Sequence, residues 1–219
     1  MDMQKITRRF YPDERKMLKS LLKNKLKEAE KGIKYYHLIV IGLVAILFTY
    51  LASIIKIDFL SFVFGAIAIF GYSLIVFQPY EIYKKRKESK AFIKALQLYI
   101  DKDVIDVYPV RATRFALARE FEDESDLYIV ELAKDKVLYL WDLEYNLKRK
   151  FPCLEFEIYE NDFFKLLGRA IYPLSEKIEP LRIDKKAKWN YMKEVGTPGH
   201  LEIEEIEFDK IIERFNKFI

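Results

Sequence analysis

The chain has 219 residues, of which 51% are hydrophobic and 33% are charged. This length allows one ordinary globular domain plus a membrane anchor, or two very small domains. Residues 1–100 carry 18 Lys and Arg against 8 Asp and Glu, whereas residues 101–219 carry 20 against 26. A basic half with long apolar runs, followed by an acidic half of soluble composition, predicts a membrane anchor joined to a cytosolic domain. The basic residues flank the apolar runs, where anionic lipid is the nearer partner, so we expect no nucleic-acid partner.

Residues 1–37 form a basic segment that we assign to the cytoplasm. After Pro12 the apolar residues recur at helical spacing, and Asp13 is a candidate N-cap. The apolar face consists of Met17, Leu18, Leu21, Leu22 and Leu26. This amphipathic helix either lies on the cytoplasmic leaflet or is solvated and orients the anchor.

Two apolar runs between residues 38 and 77 predict a transmembrane hairpin. Residues 38–55 contain no charge, and residues 59–77 resume the apolar pattern after a three-residue connection. Each run is close to the ~20 residues that cross a ~30 Å hydrocarbon core. Because the connection is short, the two helices must lie antiparallel and side by side.

The flanking charges predict the orientation of this hairpin. Eleven Lys and Arg precede the first run, and the connection has only Lys56, which Asp58 offsets. The second run is followed by Lys84, Lys85, Arg86, Lys87, Lys90 and Lys94. The positive-inside rule therefore places both termini on the cytoplasmic side of the inner (cytoplasmic) membrane. The first four of these residues are also candidates for contact with anionic lipid head groups, although the positive-inside bias alone explains them.

Small residues recur at spacings of four on both apolar runs. They are Ala45, Thr49 and Ser53 on the first run and Ser61 and Gly65 on the second. Such stripes let helix backbones approach closely in lipid, either within the hairpin or at a face that meets a second subunit. No ionisable residue interrupts either run, which argues against a proton relay or a coupled transporter.

Residues 78–103 predict a connecting helix that is separate from the second span. Gln78-Pro79 indicates a break between the two. The following residues carry an apolar stripe that runs to Ile100 at helical spacing. We expect this helix to lead away from the membrane and to dock on the C-terminal domain.

Residues 104–219 predict a β-rich cytoplasmic domain. Six or seven short segments rich in β-branched and aromatic residues indicate antiparallel strands with turns between them. A short helix near residues 186–195 and a closing helix with Ile211, Ile212 and Phe215 on one face follow. We therefore predict a membrane α-helical hairpin plus an α+β soluble domain, in which a small antiparallel rolled sheet is closed by the C-terminal helix.

The order of strands first and one amphipathic helix last resembles the pleckstrin-homology-like superfold over residues 104–219. Three segments are similar to a block in uncharacterised bacterial proteins with two transmembrane helices. These segments are FEDESDLYIVEL, KVLYLW and FPCLEFEIYE. The resemblance implies a fold and a membrane setting, and it implies no activity.

Candidate chemistry in this domain is sparse. The acidic cluster at residues 120–126 could hold Ca²⁺ or Mg²⁺, but it lacks the glycine and distal glutamate of an EF-hand loop, so a solvated turn is the better interpretation. The single cysteine, Cys153, excludes an intramolecular disulfide. Because His200 is the one histidine of the domain, Cys153 and His200 are the only possible pair of a thiol nucleophile and an imidazole base in it. A buried core residue is the better interpretation of Cys153.

Arginines in the first strands offer one further candidate site. Arg111, Arg114 and Arg119 are interleaved with Phe115 and Phe121. They could form a basic strand face for a phosphorylated ligand, as in lipid-binding members of the resembled superfold. Ion pairing with nearby carboxylates is the preferred interpretation.

No phosphate loop, zinc-binding motif or nucleophile elbow occurs in the sequence. We therefore predict a protein that is not an enzyme and that needs no cofactor or metal. The leading hypothesis is a membrane-anchored interaction or scaffold module, with a protein partner or a second copy as its target. The alternative is a subunit of an oligomeric membrane pore or effector with the domain as its sensor.

Overall fold

The computed structural model describes residues 4–30, 36–143, 147, 150–160 and 162–219. The chain divides into two compact units. The helical unit runs from Tyr11 to Asp103, and the α+β unit combines the residues up to Phe10 with Val104–Ile219. Residues 31–35, which belong to the predicted segment 1–37, lie outside the described residues.

The helical unit contains α1 (Pro12–Glu30), α2 (Tyr36–Ile54) and α3 (Asp58–Lys102). Both α2 and α3 are long and apolar enough to cross a membrane. Only 6% of the apolar window of each helix is buried, so neither is a core helix of the described chain. The two helices pack against each other after a connection of residues 55–57.

The predicted break at Gln78-Pro79 is wrong, because α3 continues through Pro79 to Lys102. A proline removes one intrahelical hydrogen bond, and the long helical runs on either side keep their own. The predicted connecting helix is therefore the C-terminal part of α3. It ends where Asp103 takes a left-handed conformation, with φ of 54°, and its N–H bonds Ile100 O.

Helix α1 lies against α3. Leu18 of α1 and Leu96 of α3 are fully buried. Leu18, which belongs to the predicted apolar face, is therefore not available to lie on a membrane surface.

The α+β unit contains nine strands and three helices among the described residues. The first sheet has the order β1-β2-β6-β7 and the second has the order β8-β3-β4-β5-β9. The strands of the first sheet are β1 (Ile6–Arg9), β2 (Val104–Arg111), β6 (Glu155–Tyr159) and β7 (Ile171–Pro173). Those of the second are β3 (Arg114–Ala118), β4 (Leu127–Ala133), β5 (Lys136–Trp141), β8 (Leu181–Ile183) and β9 (Ile203–Glu204). The helices are α4 (Asp162–Leu166), α5 (Lys185–Glu194) and α6 (Phe208–Asn216).

Two apolar layers hold this unit together. Tyr128 and Val130 of β4 belong to a core that both sheets share, whereas Leu127 and Ile129 belong to a core between the second sheet and α5 and α6. Successive residues of β4 point alternately into these two cores, so both faces of the strand are buried. This explains why residues 127–130 are all apolar or aromatic.

The mixed α+β class is confirmed, and the single rolled sheet is wrong. There are two sheets, neither is closed, and β3 pairs with β8 in parallel. The C-terminal helix α6 packs its Phe208, Ile211 and Phe215 into the core on the second sheet instead of closing a roll.

The N-terminal strand β1 was not predicted. It pairs antiparallel with β2, so that Arg9 lies opposite Val104. In the sequence, the segment that forms the helical unit therefore lies between β1 and β2.

Candidate functional site

A pocket of about 370 Å³ opens between the two sheets, and we call it the inter-sheet pocket. Its walls come from β2, β6 and β7 of the first sheet and from β5 of the second. The aliphatic part of the lining consists of Leu140, Leu143, Leu147, Ile158, Ala170, Ile171 and Leu201. Small-molecule pockets are mostly apolar and measure about 300–1,000 Å³, so the size and lining fit such a ligand.

The loop before β9 brings His200 to this pocket. Trp141 Nε1 donates to Pro198 O at 2.9 Å, and Leu201 N donates to Tyr139 O at 2.8 Å, so the loop is fixed on β5. His200 Nδ1 accepts the backbone N–H of Trp141 at 3.2 Å. The neutral imidazole therefore carries its proton on Nε2, where it can donate to a ligand.

The surroundings of His200 disfavour its charged form. Partial burial of the ring, followed by the positive charge of Lys165, lowers the pKa of His200 below its ordinary value. Helix α4 carries Lys165 next to Phe164, whose ring stacks on Tyr159 with centroids 4.3 Å apart.

Both carboxylates of the inter-sheet pocket already have partners. Glu160 lies 3.2 Å from Lys5 Nζ and accepts the hydroxyl of Tyr108 at 3.3 Å. Asp142 accepts the backbone N–H of Leu147 at 3.3 Å. The pocket thus offers an apolar interior with an imidazole donor, and its acidic groups are engaged in holding the structure.

The inter-sheet pocket leaves no local pattern in the sequence, because its walls come from residues between 108 and 201 on both sheets. His200 was considered only as a partner for Cys153, and no hydrogen bond joins them. Cys153 is buried in the shared core, and its Sγ donates to Glu155 O at 3.4 Å. Burial raises the pKa of the Cys153 thiol. The turn at residues 196–199 was the one sequence signal for a loop that presents His200.

The acidic cluster forms a loop that binds its own backbone. Asp126 Oδ1 accepts Glu120 N–H at 2.8 Å, and Glu124 accepts the N–H groups of Phe121 and Glu122 at 3.1 and 3.2 Å. Glu124 also lies 3.0 Å from Lys188 Nζ. Among the residues that the structure describes, no group of three or more acidic, His or Cys side chains could hold a metal ion.

The three arginines do not share one site. Arg111 lies 3.5 Å from Glu155, and Arg114 bonds both Glu131 of β4 and Asp209 of α6. Arg119 instead lines a second pocket, which is described below.

The five small residues of the apolar helices lie in different surroundings. Ala45 is buried beside Gly71 of α3, Thr49 Oγ1 lies 3.2 Å from Tyr72 OH, and Ser61 Oγ donates to Ala52 O at 2.8 Å. These contacts join α2 and α3.

The remaining two small residues make no such contact. Ser53 Oγ donates to Tyr50 O within its own helix, and a Cβ on Gly65 would meet no atom within 4 Å. The four basic candidates, Lys84, Lys85, Arg86 and Lys87, are exposed on α3.

No protein-family model, no curated protein and no solved structure matches this chain. The resemblances to pleckstrin-homology-like domains and to bacterial two-helix proteins stay predictions.

Proposed function

We propose that this protein is a non-enzymatic binding module of the cytoplasmic membrane that holds a small amphipathic ligand in the inter-sheet pocket. The observation that carries this proposal is the open apolar pocket of about 370 Å³ with His200 in its wall. We favour binding over catalysis because Glu160 and Asp142, the two carboxylates of the pocket, both hold parts of the protein by hydrogen bonds.

The anchor in this proposal is the pair α2 and α3, whose apolar windows are almost entirely exposed. Exposing this much apolar surface to water is unfavourable in free energy, and contact with lipid chains removes that exposure. The charge bias supports an orientation with both termini in the cytoplasm, in which the basic cluster at residues 84–87 would lie beside anionic head groups.

The pocket chemistry defines the ligand class. An apolar body would fill the aliphatic interior, and a carbonyl, carboxylate or similar acceptor would take the proton of His200 Nε2. The nearby positive charge of Lys165 favours an acceptor with negative charge.

The test compares small molecules that co-purify with three full-length chains from membranes. Ala170→Phe places a large side chain in the pocket wall, whereas Ala133→Phe makes the same change on β4 outside the pocket. We expect an amphipathic molecule with the unmodified chain and with Ala133→Phe, and its loss with Ala170→Phe. The same molecules with all three chains, or none with any, would contradict the proposal. Fluorescence of Trp141 and Trp189 checks that each variant is folded.

One observation favours the alternative of an oligomeric pore. An open groove on α3 is lined by Phe62, Gly65, Ala66, Ile69, Phe70 and Ser73. A second copy could pack its own helix against this small-residue face. The mass of the solubilised assembly separates the two functions.

A further inference from the structure

A second pocket in the α+β unit has the opposite chemistry, and we call it the basic pocket. It measures about 290 Å³ and lies where β3 ends, β4 begins and β8 approaches. Three of its lining residues are cationic, namely Arg119, Lys177 and Arg182. It shares no lining residue with the inter-sheet pocket.

Two of these cations are not used by the fold. Neither Arg119 nor Arg182 makes an ion pair or hydrogen bond with any residue that the structure describes. Arg111 and Arg114, in contrast, are paired with Glu155 and Glu131. A guanidinium group without a protein partner is ready to bind an anion.

A buried hydroxyl gives independent support. Tyr128 lines the basic pocket although its side chain is only 2% exposed, and its ring packs edge-on to Phe151 with centroids 4.9 Å apart. The Tyr128 hydroxyl makes no hydrogen bond with any described residue, and it is not one of the fully buried polar atoms that lack a partner, so it has some access to solvent. A buried polar group normally has a partner, so this donor is available to a ligand.

The basic pocket has three cationic lining residues and two acidic ones, Asp126 and Glu179, so its net charge is positive. Asp126 accepts the backbone N–H of Glu120 at 2.8 Å, and Glu179 is exposed to solvent. Two guanidinium groups and one phenol present more N–H and O–H donors than the roughly four acceptor sites of one carboxylate. The terminal oxygens of a phosphate group can accept from all of them.

We propose that the basic pocket binds a phosphate group, held by Arg119 and Arg182 with the Tyr128 hydroxyl as an additional donor. The phosphate belongs either to a soluble molecule or to a lipid head group. This proposal is independent of the ligand in the inter-sheet pocket.

The test is a calorimetric titration of the full-length chain in phosphatidylcholine nanodiscs with inorganic pyrophosphate. Arg119→Gln and Arg182→Gln should each weaken binding about tenfold, because each removes a charged hydrogen-bond donor. Arg111→Gln removes the same charge outside the pocket and should change the affinity by less than about twofold. Tyr128→Phe keeps the ring and should weaken binding about threefold.

Absence of saturable binding, or an equal loss with Arg111→Gln, would overturn the proposal. Discs with phosphatidic acid or with phosphatidylglycerol distinguish the sources, because only the first carries a phosphate monoester and both are anionic. If pyrophosphate binds more weakly in the phosphatidic acid discs but not in the phosphatidylglycerol discs, the result supports a lipid head group. Equal binding in both supports a soluble phosphate.

Discussion

The ammonium group of Lys188 lies inside the α+β unit, with none of its side chain exposed. Its Nζ is 3.0 Å from both Glu124 Oε1 and Ser125 O, and it lies 5.5 Å from the centre of the Trp141 ring. Burial raises the pKa of Glu124, but hydrogen bonds from Lys188 and from backbone N–H groups outweigh burial, so the net pKa is lowered. This ion pair fixes the acidic loop on α5.

Removing one partner of this pair should therefore be costly. We expect Lys188→Met to lower the free energy of unfolding by about 3 kcal/mol, because it removes a buried cation and leaves the largely covered Glu124 carboxylate without its ion-pair partner. Lys188→Met combined with Glu124→Gln should restore part of the loss. Urea unfolding followed by fluorescence of the two tryptophans measures both variants. Equal stability of the Lys188→Met chain and the unmodified chain would contradict this account of the loop.

The imidazole of His200 gives a prediction in the acid range. Its pKa is lowered in the folded state, so below about pH 6.5 the unfolded chain takes up a proton that the folded chain does not. The contribution of His200 to stability is thus lost as the pH falls through this range.

An NMR titration in a His37→Gln background, where His200 is the one remaining imidazole, should give a midpoint below pH 6.5. Lys165→Gln should raise that midpoint, because it removes a nearby positive charge. A midpoint that does not respond to Lys165→Gln would place this lysine away from the inter-sheet pocket.

The roles of single charges were the least predictable from sequence. Arg111, Arg114 and Arg119 look alike in the pattern, and their different roles depend on partners far along the chain. Asp209, which bonds Arg114, is 95 residues away. The burial of Lys188 likewise arises from the packing of α5 on the second sheet, which no local spacing encodes.

At the scale of elements, β1 is the largest departure from the prediction. Its four residues, ITRR, show almost no burial and are too short for a periodic signal. Backbone pairing with β2 stabilises this strand. An ion pair stabilises it further, since Arg8 Nε donates to Glu157 Oε2 at 2.9 Å and the Glu157 side chain is only 4% exposed.

Arg8→Gln should lower the free energy of unfolding of the α+β unit by about 3 kcal/mol, because it leaves Glu157 unpaired. Arg9→Gln removes an exposed charge on the same strand and should change stability by less than about 0.5 kcal/mol. Tryptophan fluorescence in urea reports on this unit, since Trp141 and Trp189 both belong to it. Similar effects of the two variants would show that β1 does not belong to the unit.

The contact between α2 and α3 gives a second prediction at this scale. A Cβ on Gly71 would lie 2.9 Å from Ala45 Cβ, which is too close, whereas a Cβ on Gly65 would meet no atom within 4 Å. Gly71→Ala should therefore destabilise the hairpin by about 1–3 kcal/mol, as overpacking does, and Gly65→Ala should not. Thermal loss of helical circular dichroism in detergent compares them. A larger effect of Gly65→Ala would instead indicate that the α3 groove is a packed interface.

For the whole molecule, composition and periodicity were sufficient to predict two long apolar helices and a mixed α+β unit. They did not predict two sheets, because strand order depends on pairing between distant segments. The parallel pairing of β3 with β8, for example, joins Ala116 to Leu181. The two pockets escaped prediction for the same reason, since each draws its lining from several strands.

The membrane-anchored binding module is tested most directly by the native mass of the full-length chain, released from the membrane fraction in mild detergent. The account predicts one or two copies of the chain, each with a bound small molecule that Ala170→Phe removes. A closed ring of several subunits without such a molecule would contradict it and support the pore. Recovery of the chain in the soluble fraction would contradict the membrane anchor itself.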